Sequence, residues 1–142
     1  MKDQSVFELI HTMEKVTNRL IIQWNQSFNE NLGITHILLL GQLKNNGKCR
    51  PIDLANYLGI APSSITHLTD KLLSRKLIIR IADENDKRIS YVAITENGLE
   101  ILQKAQEEGY LLQMRTFEKL SAEERHQLLT IYNKLNNLLE KS

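Results

Sequence analysis

The stretch DLANYLGIAPSSITHLTDKL, Asp53 to Leu72, constrains this chain more than any other. Two helical patterns lie on either side of Leu58-Gly59-Ile60-Ala61-Pro62, with almost no linker between them. A helix-turn-helix unit sets its second helix across its first at a fixed angle, and that geometry restricts particular positions. The turn favours glycine, which takes positive φ without strain. The first helix needs a small residue where the second crosses it, and apolar residues must lock the corner. With Pro51 as the first position, the fifth is Ala55 and the ninth is Gly59. Leu54, Leu58, Ile60, Ile65 and Leu68 then supply apolar residues at the fourth, eighth, tenth, fifteenth and eighteenth. Each match is weak alone, but together and in register they are specific.

With the corner fixed, the second helix is expected to bury Ile65, Leu68 and Leu72. Ser63, Ser64, Thr66, His67 and Lys71 are then left facing outward near its N-terminal half. That half of a recognition helix enters the major groove, and its amide dipole favours nearby phosphate. Ser and Thr hydroxyls exchange hydrogen bonds with base edges or phosphates, and His67 can donate to guanine or phosphate. The alternative for Ser63-Ser64 is an ordinary helix start with solvated hydroxyls.

Beyond this pair of helices the apolar period changes to two. Leu77, Ile79 and Ile81 alternate with Ile78 and Arg80, and a second alternating run spans Ile89 to Ile94. The polar segment between them, Asp83 to Arg88, makes the expected product a two-stranded hairpin with a charged tip. Asp86, Lys87 and Arg88 lie at that tip, where a guanidinium can reach a minor groove and Asp86 can orient it; narrow A·T-rich minor grooves attract Arg. Alone, Asp-Lys-Arg reads as a solvated turn. Shortly after a recognition helix, it reads as a wing.

Long helical patterns flank this module. Val6, Leu9, Met13, Val16, Leu20, Trp24 and Phe28 recur at steps of three or four, and Asn31-Leu32-Gly33 ends that run. A second helix starts near Ile34 and stops at Asn45-Asn46-Gly47. Thr95 is placed to cap a long helix through Leu99, Leu102, Ala105 and Leu112, with Gly109 expected to weaken or bend it. Ser121 and Glu124 have capping-box spacing and open a last helix carrying two apolar rows. The terminal helices carry wider apolar rows than one core contact needs in a chain of 142 residues. They are expected to pack against a second copy, the alternative being a monomer in which they wrap the central module.

Charge is patterned in the same way. The net charge is only +1, but Lys44 to Arg88 holds nine Lys and Arg against five Asp and Glu, or +4, leaving 9 − 12 = −3 elsewhere. A basic middle between acidic flanks suits a DNA-facing module on supporting helices. The single cysteine, Cys49, forms no internal disulfide, which points to a reducing cytoplasm. The polar start Met1-Lys2-Asp3-Gln4-Ser5 argues against a signal peptide, and no apolar run approaches the roughly 20 residues that cross a bilayer.

Over nearly its whole length the chain resembles the MarR family (multiple antibiotic resistance regulators), bacterial winged helix-turn-helix dimers. The resemblance rests on Leu32-Gly33 through His36-Ile37, Leu39-Leu40 and Leu43, and on Leu54-Ala55 with Leu58-Gly59-Ile60. It continues in Asp86-Lys87-Arg88, which looks like the family's Asp-x-Arg wing, and in Ile94-Thr95-Glu96-Asn97-Gly98. It implies a mainly α fold with a small β-hairpin wing, residues 33–95 forming the winged helix-turn-helix. Segments 4–30 and 96–140 would form the dimerisation part of one MarR-like domain over 1–142. It further implies a homodimeric repressor on a pseudo-palindromic double-stranded DNA operator, with Arg88 in the minor groove and the Ser63–Lys71 face in the major groove. A small-molecule or redox signal would release the DNA. Three positions depart from the pattern: His67 stands where many members carry Arg, Lys76 replaces the glycine before the wing, and Gly33 replaces a Thr or Ser cap.

The signal is less defined. Peroxide-sensing members carry a cysteine near the start of the first helix, whereas Cys49 precedes the helix-turn-helix. Cys49 is expected to be a small, partly buried residue, with a redox role as the alternative. His11, His36, His67 and His126 show no i, i+3 or i+4 pairing, so no metal site and no cofactor are expected. An organic effector remains, for which Trp24 and His36 are candidate lining residues, or else a core Trp and a capping-turn His. No nucleophile–base pattern, phosphate loop or paired carboxylates appear, so an enzyme is not expected. A winged helix that binds protein is the other alternative, but such a face would expose apolar residues. This one exposes Ser, Thr, His and Lys.

Overall fold

A computed structural model describes residues 4–142. Six helices and one hairpin follow in the order α1 (Gln4–Phe28), α2 (Ile34–Asn46), α3 (Pro51–Leu58), α4 (Pro62–Ser74), β1 (Ile78–Ala82), β2 (Ser90–Ile94), α5 (Glu96–Glu118) and α6 (Ala122–Glu140). The chain divides into a central unit, Ile21–Glu108, and a terminal unit made of the chain up to Leu20 together with Gly109–Ser142. The helix α5 is continuous through Gly109.

Among the described residues, every buried apolar side chain belongs to the central unit. Leu39, Leu40 and Leu43 of α2, Leu54 of α3 and Leu72 of α4 are all but inaccessible, together with Ile78, Val92 and Leu102. Each such side chain contributes roughly 1.5–3 kcal/mol relative to an exposed one. Trp24 stacks on Phe28 at 4.8 Å between ring centroids. Its indole nitrogen donates to the Ala105 carbonyl at 3.0 Å, which satisfies the polar edge of a buried ring.

The corner between α3 and α4 forms as its residues require. Ala55 is 1% exposed, and Gly59 takes the left-handed conformation, φ 67° and ψ 35°. The Ile60 amide donates back to the Ala55 carbonyl at 3.0 Å and closes the turn. Pro51 and Pro62 open α3 and α4, where a missing N–H costs nothing. Two details of α4 differ from the sequence reading. Leu68 is only half-buried, and Thr69 takes the covered position at 2% exposed. The Thr69 hydroxyl donates to the Ile65 carbonyl at 2.9 Å, so burial leaves it no unmet partner.

The hairpin is antiparallel, with Arg80 opposite Val92 and Ala82 opposite Ser90. Leu77 and Ile89 lie just outside the strands. Of the alternating residues, Ile78 faces the core and Ile79 is exposed. Cys49 forms a further backbone bridge to Val92, with N–O distances of 3.1 and 2.8 Å, so the loop before α3 braces the second strand.

The connection from α4 to β1 hinges on Lys76, which adopts φ 61°. This is the position where the family pattern carries glycine, and a side chain there costs about 1–2 kcal/mol. Neighbouring bonds hold it: the Lys76 amide donates to Leu73 O at 3.0 Å, and the Thr95 hydroxyl donates to Lys76 O at 2.8 Å. The same hydroxyl accepts from the Gly98 amide at 3.0 Å and caps α5. At the other end of the chain, Ser121 and Glu124 form the reciprocal capping box that starts α6. At α2, glycine supplies no cap from Gly33. His36 compensates from inside the helix, its Nδ1 accepting the Gly33 amide at 3.1 Å.

The terminal unit contrasts with this core. No described residue in it is buried. Phe7, Leu9, Met13, Tyr110, Leu129 and Leu139 are among the large side chains left exposed there, Leu139 at 71%. Among the described residues, no helix is long and apolar enough to cross a membrane.

Candidate nucleic-acid interface

Two surface features of the central unit carry the residues singled out in the sequence. The first is the N-terminal half of α4. Ser63, Ser64, Thr66 and His67 are exposed, while Lys71, one turn further on, is half-buried and not fully outward. The N-cap residue, Ala61, has no side chain that could bond the first-turn amides. Pro62 has no N–H, and the Ser64 and Ile65 amides turn back to the Ala61 carbonyl. This leaves the Ser63 amide, at the positive end of the helix, as the first-turn donor that an anionic group could take up. The Thr66 hydroxyl leans on the Pro62 carbonyl at 3.4 Å, which keeps its lone pairs outward. Thr35, at the start of α2, lines an open groove together with Ile60, Ser64, His67 and Leu68. The sequence reading did not select Thr35, because its period places it in a different helix with no sign of proximity to α4.

The second feature is the wing tip. Arg88 is bound to Asp86 through one edge of its guanidinium: Nε donates to Oδ1 at 3.1 Å and Nη2 to Oδ2 at 3.2 Å. The Arg88 amide adds a third bond to Asp86 Oδ1 at 3.0 Å. Hydrogen bonds from Arg88 hold the Asp86 carboxyl below the usual carboxylate range. The Arg88 side chain nonetheless remains 90% exposed, so it is oriented without being covered. Lys87 is exposed beside it. The sequence places Asp86 as the orienting partner of Arg88, and the geometry has that form.

Ion pairs tie α4 to its surroundings. Arg80 of β1 meets Asp70 of α4 at 3.8 Å. Arg75, at the C-terminal end of α4, donates to the Glu30 carbonyl oxygen and lies 3.7 Å from its carboxylate. Lys104 of α5 donates to the same carboxylate at 2.6 Å. Lys104 first, and Arg75 to a lesser degree, hold the Glu30 carboxyl below its ordinary value. Glu30 is thus a shared acceptor for α4 and α5, a role that its place in a polar loop does not reveal.

The candidate sensing residues have other partners. Trp24 is part of the core and His36 caps α2. Burial, then the charges of Lys71 and Arg75, lowers the His36 pKa and favours the neutral ring that accepts from Gly33. Cys49 is buried, its thiol donating to the Gly47 carbonyl at 3.3 Å. Burial and the nearby Asp53 carboxylate raise its pKa, the reverse of what activates a thiolate. The redox alternative is therefore disfavoured. Among the described residues, no three His, Cys, Asp or Glu side chains converge to hold a metal ion.

A helix-turn-helix with an uncapped second helix and a hairpin presenting an oriented arginine defines a winged-helix transcriptional regulator. Residues 32–90 match the MarR family model. A Bacillus subtilis relative, the uncharacterized HTH-type transcriptional regulator YfiV, is 30% identical over 78% of this chain and 69% of its own length. The Escherichia coli transcriptional repressor MprA is 30% identical over 82% of this chain, which spans 65% of that protein. The crystal structure of YusO from Bacillus subtilis superposes with a TM-score of 0.79 at 20% identity, covering 96% of this chain and 98% of that one. The chain belongs to the MarR family.

Proposed function

We propose that this regulator is a homodimeric repressor that binds a pseudo-palindromic double-stranded DNA operator. Ser63, Ser64, Thr66, His67 and Lys71 lie in the major groove in this reading, and Asp86, Lys87 and Arg88 present the wing to the adjacent minor groove. The observation that carries it is the wing tip, where Arg88 is fixed by two side-chain bonds to Asp86 yet left 90% exposed. An exposed arginine with no external partner has little reason to be so constrained in a monomer at rest. The open start of α4 supports the same reading.

The dimer rests on the terminal unit, whose apolar side chains find no core within one chain. The two-part organisation belongs with it: residues 33–95 bind DNA, while 4–30 and 96–140 associate. The repressor assignment follows the name of the MprA relative, and a small organic effector that releases DNA is the family expectation. The protein acts without catalysis, in the cytoplasm, where its operator lies. A winged helix that binds protein is the weaker reading, because the outward face of α4 is made of hydroxyls, an imidazole and an ammonium group.

Selection of duplexes from random sequence by the purified protein, followed by fluorescence anisotropy at two salt concentrations, tests the reading. A two-fold-related site is expected, with affinity falling steeply as salt rises. Arg88→Ala is expected to weaken specific binding by about 1–3 kcal/mol. Sedimentation equilibrium is expected to give a dimer. Enrichment of no sequence, or a monomer at micromolar concentration, would sink it.

A further inference from the structure

The wing tip carries another carboxylate, Asp83, that makes no hydrogen bond or ion pair with Arg88 but bonds to the turn that presents it. It stands at the end of β1, and its carboxylate faces in two directions. Oδ2 accepts the Asn85 amide at 3.1 Å and the Asp86 amide at 3.0 Å, which fixes the turn. Oδ1 accepts the Tyr91 hydroxyl at 3.1 Å, which ties the turn to the second strand. Tyr91 is itself held, because its ring lies 4.7 Å beneath the Lys48 ammonium and its neighbour Val92 is bridged on both backbone atoms to Cys49.

These contacts form one continuous series. The braced strand holds Tyr91, Tyr91 holds Asp83, Asp83 holds the backbone of Asp86, and the Asp86 carboxylate holds Arg88. Among the described residues, Arg88 has no side-chain partner except Asp86, so its direction is set wholly by where Asp86 sits. Asp86 in turn leads back to the strand through Asp83 and through backbone bonds at Ile89. We infer that Asp83 and Tyr91 form a latch that pre-positions the wing arginine for the minor groove, with Asp83 as a positioning residue that itself need not touch DNA. The inference rests on the wing contact proposed above and names residues that determine its strength.

Ordering a mobile tip on binding costs free energy that a latched tip has already met on folding. Without the latch, the arginine is still present and charged, but its alignment must be won in the complex. The loss therefore passes through Arg88 and disappears when Arg88 is absent.

The experiment is a double-mutant cycle on a duplex selected by the wild-type protein, read by anisotropy at fixed salt. Asp83→Ala is expected to weaken specific binding about five- to a hundredfold, within the range expected of Arg88→Ala. The combined variant is expected to bind no more weakly than Arg88→Ala alone. Asp83→Asn should retain most of the affinity, because its amide oxygen still accepts from the turn and its NH2 donates to the Tyr91 oxygen. Tyr91→Phe keeps the ring under Lys48 and removes one bond, so it should show a smaller loss that also vanishes in the Arg88→Ala background. If Asp83→Ala fails to fold, judged by circular dichroism, the Tyr91→Phe cycle decides alone. Losses that add fully to that of Arg88→Ala, or Asp83→Ala at wild-type affinity beside a weakened Arg88→Ala, overturn the latch. Arg88→Ala at wild-type affinity overturns the wing contact itself, and the latch with it.

Discussion

Gly98 lies in the first turn of α5, and nothing in its backbone angles demands glycine. The demand comes from the neighbour. A Cβ built there would lie 2.2 Å from the Leu77 carbonyl oxygen and 2.7 Å from Cγ1 of Ile94. Ordinary contact begins near 3.4 Å, so the backbone at Leu77 must retreat by roughly 1 Å. That oxygen also accepts the Thr95 amide at 3.1 Å, and the Leu77 amide donates to Leu72 at the end of α4. For Gly98→Ala, overpacking costs about 1–3 kcal/mol, and loss of the Thr95 bond about 1–3 more. Better helix propensity returns about 1 kcal/mol. The expected net destabilisation is about 3 kcal/mol. Gly41 in α2 is the control, since a Cβ there meets nothing within 4 Å. Gly41→Ala should stabilise by about 0.5–1 kcal/mol. Urea unfolding followed by circular dichroism measures both, at one fixed protein concentration because association would shift the midpoint. A Gly98→Ala midpoint at or above wild type would refute close approach as the reason for glycine.

Lys76→Gly exchanges a strained side chain for a freer unfolded chain. Relief of about 1–2 kcal/mol exceeds an entropic cost of about 0.5–1, so a small net stabilisation is expected in the same urea assay; a lowered midpoint would contradict it. His36 titrates below its ordinary value of 6.5 in the folded protein. The unfolded chain therefore takes up this proton first. Stability is full above that value and declines as pH falls through it towards the lowered folded pKa. His36→Gln should flatten this part of a stability-versus-pH curve, and an unchanged slope would assign the effect elsewhere. Cys49→Ser should keep wild-type operator affinity, and the native thiol should react with maleimide far more slowly than the urea-unfolded one. Peroxide-induced release of DNA that Cys49→Ser abolishes would restore a redox role.

Much of the fold was legible because its constraints are local. Gly59 turns the chain, Ala55 admits the crossing helix, and Thr95, Ser121 and Glu124 cap helices at fixed spacings. Lys76 was legible only by contrast, as a residue standing where the resemblance expects glycine. What escaped depends on contacts between distant segments. No periodicity distinguishes Leu68, half-covered, from Thr69, buried with its hydroxyl turned onto its own helix. Ile79 looks like a core residue and is exposed, since the hairpin covers only one face of its first strand. The wing arginine and its aspartate could be found from three adjacent letters. Asp83 and Tyr91, eight residues apart, need the register of the hairpin to bring them together. Glu30, Arg75 and Lys104 need the loop after α1 set against α4 and α5.

The Arg88–Asp86 pair also bears on the tempo of binding. In the operator complex proposed above, Arg88 arrives with its counter-charge already attached, so from a distance the pair presents almost no net field. Long-range attraction to DNA is then left to unpaired cations such as Lys87 and to the α4 terminus, which set how often protein and duplex meet. Arg88 acts only at close range, once the groove can compete with Asp86 for its remaining donors. Removing Arg88 together with Asp86, which keeps the net charge, should leave the association rate nearly intact and shorten the lifetime of the complex. The wing, on this view, does little to find the operator and much to delay departure from it.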